Sequence, residues 1–185
     1  QTSMNDGAKH DDFCILYRTN AQSRSFEDAL RKKNIPYKIY GGLSFYQRKE
    51  IKDVLSYLRL VINPKDEEAF RRVINYPTRG IGATTLAKLA VAAEQHQWSL
   101  WETCEKLGTI SSGIGAAAVR KIVDFTTLIN SFVIFAKAND AFDTVAHVAK
   151  SVGLIKVLGE DKTPEGVTRY ENVQELLNGI KDFSE

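Results

Sequence analysis

The run "TRGIGATTLAK" (78–88) sets two glycines around one isoleucine, directly ahead of residues that favour helix. Glycine destabilises a helix interior and helps only where a chain must bend or lie close to something. The run is therefore either an ordinary turn between helices or a turn whose backbone N–H groups face a ligand. In the second reading, Gly80 and Gly82 admit a bulky phosphodiester and the following helix dipole favours its charge. Ile81 packs inward and fixes the turn, Thr85 or Thr84 adds a hydroxyl, and Arg79 and Lys88 add charge. Such a contact ignores base identity. It is the geometry of a helix–hairpin–helix-like DNA clip.

Outward from this run the chain reads as mainly α. Upstream, "SFYQRKEIKDVLSYLRLVIN" (44–63) carries a stripe of Ile51, Val54, Leu55, Leu58 and Ile62, and Pro64 stops it. "DEEAFRRVIN" (66–75) opens with acids in its first turn and Pro77 breaks it. Downstream, helices are expected over 83–97, over 99–107 with Ser99 and Glu102 spaced as a capping box, and over 116–138, the expected central core helix. Further helical pattern covers 141–158, broken near Gly153, and 167–183. "GIGATTLAKLA" (80–90) and "GIGAAAVRKIV" (113–123) match at a spacing of 33 residues, either a duplicated hairpin or a coincidence of alanine-rich helices.

The front differs. "FCILY" (13–17) and "IPYKIYGG" (35–42) read as short strands flanking a helix over 20–34, one β-α-β unit of a parallel sheet. One such unit cannot bury both faces of a sheet. Together with a start that is not methionine, this points to a piece of a longer protein. The expected units are a strand-helix-strand piece over 1–43 and a helical bundle over 44–185.

Charge is local. From Arg18 to Lys52 nine basic residues face three acids, whereas the stretch after Ala138 is net acidic. The basic front suits either a polyanion or a solvated helix surface. Arg48, Lys52 and Arg59 fall within roughly 40° on one helix edge. Arg18 and Asn20 follow the first expected strand, where ligands bind in α/β sheets; Arg18 offers a phosphate grip, and the bland alternative is an N-cap at Asn20 beside a surface cation.

The sequence lacks Gly-x-x-x-x-Gly-Lys-Ser/Thr, His-Glu-x-x-His, Gly-x-Ser-x-Gly and Cys-x-x-Cys. Cys14 and Cys104 are far apart and read as reduced thiols of a cytoplasmic protein, with a disulfide as the alternative. His147 lies among apolar residues and reads as packed. No apolar run approaches a membrane span.

"LYRTNAQSR", "YKIYGGLSFYQRKEIKDVLSYLRL" and "NYPTRGIGATTL" resemble, in order and spacing, consecutive stretches of the UvrD/PcrA/Rep group of superfamily 1 DNA helicases. The likeness runs from about Phe13 to the end and is most specific over the first ninety residues. It implies a fold beginning in the second RecA-like motor subdomain (2A) and continuing into its helical insertion (2B). It implies a parent that moves 3′ to 5′ along single-stranded DNA and opens duplexes in repair or replication, using ATP and Mg2+. Matched position by position, Arg18 and Asn20 fall where the family holds single-stranded backbone. Lys52, Arg59, Gly80, Ile81, Gly82 and Thr85 fall where the insertion grips duplex DNA, with Arg79 beside them. The ATP-site motifs lie outside these residues, so the piece itself is expected to bind no cofactor, to lack catalytic and metal residues and to act as a DNA-gripping, regulatory module. Repair proteins are the expected further partners. The competing expectation is a protein-interaction or autoinhibitory bundle, which the acidic C-terminal half suits.

Overall fold

A computed structural model describes residues 7–184. The outermost ends of the two expected units, residues 1–6 and Glu185, lie outside the described residues. The helices are α1 (Ser23–Lys32), α2 (Lys49–Ile62), α3 (Glu67–Val73), α4 (Ala83–His96), α5 (Leu100–Glu105), α6 (Ala116–Ala136), α7 (Ala141–Ser151), α8 (Leu154–Glu160) and α9 (Pro164–Ser184). No helix among the described residues is long and apolar enough to cross a membrane.

Local chemistry explains several boundaries. Asp66 accepts the Ala69 N–H at 3.0 Å and Asp140 the Asp143 N–H at 2.8 Å, each satisfying a donor that a helix start leaves free. Ser99 and Glu102 form the expected capping box. A left-handed Gly153 separates α7 from α8.

The expected β-α-β piece does not form: no strand is present among the described residues. Phe13 is extended, but a strand needs a neighbour for its N–H and C=O groups, and none lies beside residues 13–17 or 35–42. Their side chains are only partly covered; Ile35 and Ile39 are half-buried and Tyr17 stacks on Phe26, but Leu16 is 89% exposed and Tyr40 80%. Only the helix between them appears, preceded by a 3-10 turn over Asn20–Gln22.

A second correction concerns the centre. α2, rather than the longer α6, is surrounded: it packs against α3, α6, α7 and α9. Its buried apolar face is Ile51, Val54, Tyr57, Leu60 and Val61, whereas Leu55 and Leu58 are half-buried and Ile62 is exposed. A helix enclosed on several sides has no single stripe to read. α6 buries Ile122, Phe125, Ile129 and Phe132 on one side and leaves Val123 and Ile134 exposed on another. Phe70 sets its edge against Trp101 and Phe125, with ring centroids 6.5 and 5.9 Å apart, so α3, α5 and α6 meet in the core around one aromatic cluster.

Polar bonds tie the front to the bundle. Buried Arg48 donates to the Asn20 carbonyl at 2.7 Å, to Asn172 Oδ1 on α9 at 2.8 Å and to Ser23 Oγ at 2.9 Å. Asn172 in turn donates to Glu50 at 2.7 Å. Arg48 is thus an internal tie and not part of a cationic helix edge. Burial, the largest influence on it, disfavours its charge.

Candidate nucleic-acid interface

The turn between α3 and α4 is held from inside. Asn75 Oδ1 accepts two backbone donors, Arg79 N–H and Ile81 N–H, each at 3.0 Å. The Arg79 guanidinium folds back, donating to the carbonyls of Val73 at 3.0 Å and Pro77 at 3.2 Å and to the Tyr57 hydroxyl at 2.7 Å. It also lies 5.3 Å from the centre of the Phe125 ring. The Tyr57 hydroxyl in turn donates to the Tyr76 carbonyl. Burial pushes the Tyr57 phenol up to about 12, against the opposing charge of Arg79.

This scaffold leaves the Gly82 side of the turn open. Ile81 is fully buried, as expected of the residue that anchors it. Gly80 has φ +71°, a conformation that strains any residue with a Cβ. Gly82 is the N-cap of α4 with ordinary extended angles, and a Cβ built there would meet nothing within 4 Å. Gly80, Gly82, Ala83 and Thr84 are exposed. The Thr85 and Leu86 amides close onto the Gly82 carbonyl at 3.0 and 3.1 Å. The amides of Gly82, Ala83 and Thr84 have no acceptor among the described residues, and no side chain caps the helix. Three donors at a positive helix end, with open space before them, suit an anionic oxygen.

The structure therefore gathers Arg79, Gly80, Ile81, Gly82 and Thr85 into one turn, with Arg79 as its internal strut and Thr85 half-buried. It adds Asn75, which sequence reasoning missed: an asparagine ahead of a Tyr-Pro pair gives no sign that it will bind amides four and six residues on. Lys52 stands exposed on α2. Arg59 is committed elsewhere, bidentate to Asp66 at 2.7 and 3.0 Å and to Glu68 at 2.9 Å. Hydrogen bonds from Arg59 hold the Asp66 carboxyl below its ordinary range. Arg18 and Asn20 are exposed at the far end of the Arg48 tie, in a turn where Gln22 Oε1, rather than Asn20, accepts the amides of Arg18 and Thr19 at 2.9 and 3.2 Å.

Comparison with known proteins places the chain in a family. Residues 1–185 match the family model described as UvrD-like helicase C-terminal domain. The chain is 40% identical over 183 residues to DNA helicase II of Haemophilus influenzae, covering 99% of this chain and 25% of that protein. It is 39% identical over 191 residues to DNA helicase II of Escherichia coli, covering 100% of this chain and 25% of the relative. It is 36% identical over 180 residues to ATP-dependent DNA helicase PcrA of Staphylococcus aureus, covering 97% and 24% respectively. The chain thus spans about a quarter of the length of these relatives.

Proposed function

Because this chain belongs to the UvrD-like helicase C-terminal domain family, we propose that it is the DNA-backbone-gripping part of an ATP-dependent 3′-to-5′ DNA helicase serving repair or replication in the cytoplasm. The supporting observation is the set of exposed, unpartnered amides at Gly82, Ala83 and Thr84, held in place by Asn75 and Arg79. A phosphate oxygen accepts from these amides, and the α4 dipole favours its charge. The contact carries no base information, so binding is tolerant of sequence and steeply dependent on salt. Thr85, half-buried beside the amides, adds a hydroxyl, and Lys52, exposed on α2, adds a charge. Arg59 contributes only by releasing Asp66 and Glu68, and Arg18 and Asn20 contact the single strand. ATP and Mg2+ act at residues elsewhere in the intact protein; this sequence has no phosphate-binding Gly-Lys loop, and no step through them is assigned to its side chains.

Gly82 supplies the test. Its backbone angles suit any residue and its Cβ space is open, so Gly82→Asp folds. An aspartate N-cap is also slightly better than glycine, by a few tenths of a kcal/mol. Its carboxylate would occupy the amides and repel phosphate. The expected outcome in the intact polypeptide is an unchanged or slightly raised melting temperature with duplex affinity reduced about tenfold or more, a loss of about 1.4 kcal/mol. Gly82→Asn, of the same shape without charge, should lose less. Duplex affinity unaltered by the aspartate would refute the proposal.

A further inference from the structure

The two Gly-Ile-Gly turns do not lie apart. Lys121, eight residues past Gly113, donates from α6 to the Gly80 carbonyl at 3.4 Å. Lys88, eight residues past Gly80, donates from α4 to the Gly113 carbonyl at 2.7 Å. Each turn thus receives the lysine at the same place after the other. The approach is close: a Cβ built on Gly80 would run into the Lys121 ammonium.

The exchange also joins two stretches that contain no acid. Residues 69–93 carry Arg71, Arg72, Arg79 and Lys88, and residues 106–123 carry Lys106, Arg120 and Lys121, with no Asp or Glu in either. Several of these cations are already engaged within the protein. Arg71 pairs with Glu67, Arg72 with Asp53, Arg79 is the internal strut, and Lys106 lies 4.0 Å over the Trp98 ring. Lys88, Arg120 and Lys121 are exposed and have no acidic partner among the described residues; Arg120 makes no side-chain hydrogen bond there either. The first acid on α6, Asp124, pairs with neither Arg120 nor Lys121. Like charges gathered without a counter-acid repel one another and are relieved by a bound polyanion.

We propose that Arg120 and Lys121 of α6, with Lys88 of α4, form a second phosphate grip that continues the backbone track begun at the first turn. This rests on the reading of that turn as a DNA contact and adds a set of side chains outside it. Lys121, bonded to the Gly80 carbonyl two residues before the first free amide, would bring its charge to a phosphate held at α4, and Arg120 would extend the track along α6. The grip is electrostatic and independent of base sequence.

The test measures binding of a short blunt DNA duplex to the intact polypeptide over a series of salt concentrations. Arg120→Gln/Lys121→Gln should lower the slope of log K against log salt by about two, near one for each phosphate that the variant no longer neutralises. Lys121→Arg should keep the slope. Should removal of Lys121 disturb the first turn, seen as an earlier thermal transition, Lys88→Gln/Arg120→Gln spares the bond to Gly80 and gives the same readout. An unaltered slope in both double variants, with Gly82→Asp still weakening binding, would overturn this grip alone. If Gly82→Asp also leaves binding intact, the reading of the first turn fails and this inference fails with it.

Discussion

The first and second Gly-Ile-Gly turns share a tripeptide and a path but not a foundation. Both open on a glycine with positive φ, +71° at Gly80 and +64° at Gly113, and both lead into a helix without a side-chain cap. Ile81 is fully buried, whereas Ile114 is half-buried at the edge of the core. The Ile81 amide is held at 3.0 Å by Asn75; the Ile114 amide has only a 3.3 Å bond to Ser112 Oγ. At the repeat spacing, Gly108 and Ser112 stand where the first turn has Asn75 and Arg79. The glycines give the chain its bend. The residues upstream decide whether the bend is a rigid, preorganised cradle, and only the first turn has them.

The strongest challenge to this comparison is a matched pair of truncations. Ile81→Ala empties a fully buried site and should cost about 2–5 kcal/mol, whereas Ile114→Ala should cost less than about 1 kcal/mol. Urea midpoints of the two variants measure the difference, and equal shifts would abolish the distinction between the turns. A smaller effect is expected from the polar brace. Asn75→Ala strands two backbone donors and should cost about 1–3 kcal/mol, while Ser112→Ala should stay within about 0.5 kcal/mol. Hydrogen exchange at the Ile81 amide should quicken in the first variant, and the Ile114 amide should barely respond in the second.

Which features were legible in the sequence follows from the range of the forces behind them. Helix starts at Asp66, Ser99 and Asp140 depend on bonds three residues long, and the break at Gly153 on one backbone conformation; local patterns report such things well. The expected strands at 13–17 and 35–42 failed because a strand exists only with a partner, and an apolar run does not say whether one is present. The stripe on α2 was legible in part: Ile51 and Val54 are buried and Leu55 and Leu58 pack against the core, but Tyr57, Leu60 and Val61 were missed because four helices surround α2, which hides a one-sided pattern. At the candidate site, Gly80, Ile81 and Gly82 were legible as a bend because glycines directly ahead of a helix break its pattern. Arg79 was visible as a charge, but its inward role was not, since nothing local shows that Tyr57, twenty-two residues earlier, will accept from it at 2.7 Å. The same distance in sequence hid the tie from Arg48 to Asn172.

The smallest expected effect exploits the one acidic hydroxyl in the brace. Tyr57 is buried, bonded to Arg79 and Tyr76, and its phenol is raised from 10.0 to about 12, chiefly by burial. A phenol whose folded pKa exceeds its unfolded value contributes stability that is whole below pH 10 and is lost as pH rises through about 12. Ionisation would place a buried negative charge under the first turn, while the second turn is braced at Ser112, with no tyrosine hydroxyl bonded to it among the described residues. Tyr57→Phe should cost about 1 kcal/mol at neutral pH, the worth of a lost hydrogen bond. The gap between it and the parent should then narrow across that alkaline interval, because the variant no longer has that proton to lose. Other raised tyrosines, among them Tyr46 and Tyr76, titrate in both proteins and cancel in the comparison. Urea midpoints of the pair from neutral to strongly alkaline pH measure the gap, and one that stays constant would mean that the phenol is no part of what stiffens the first turn.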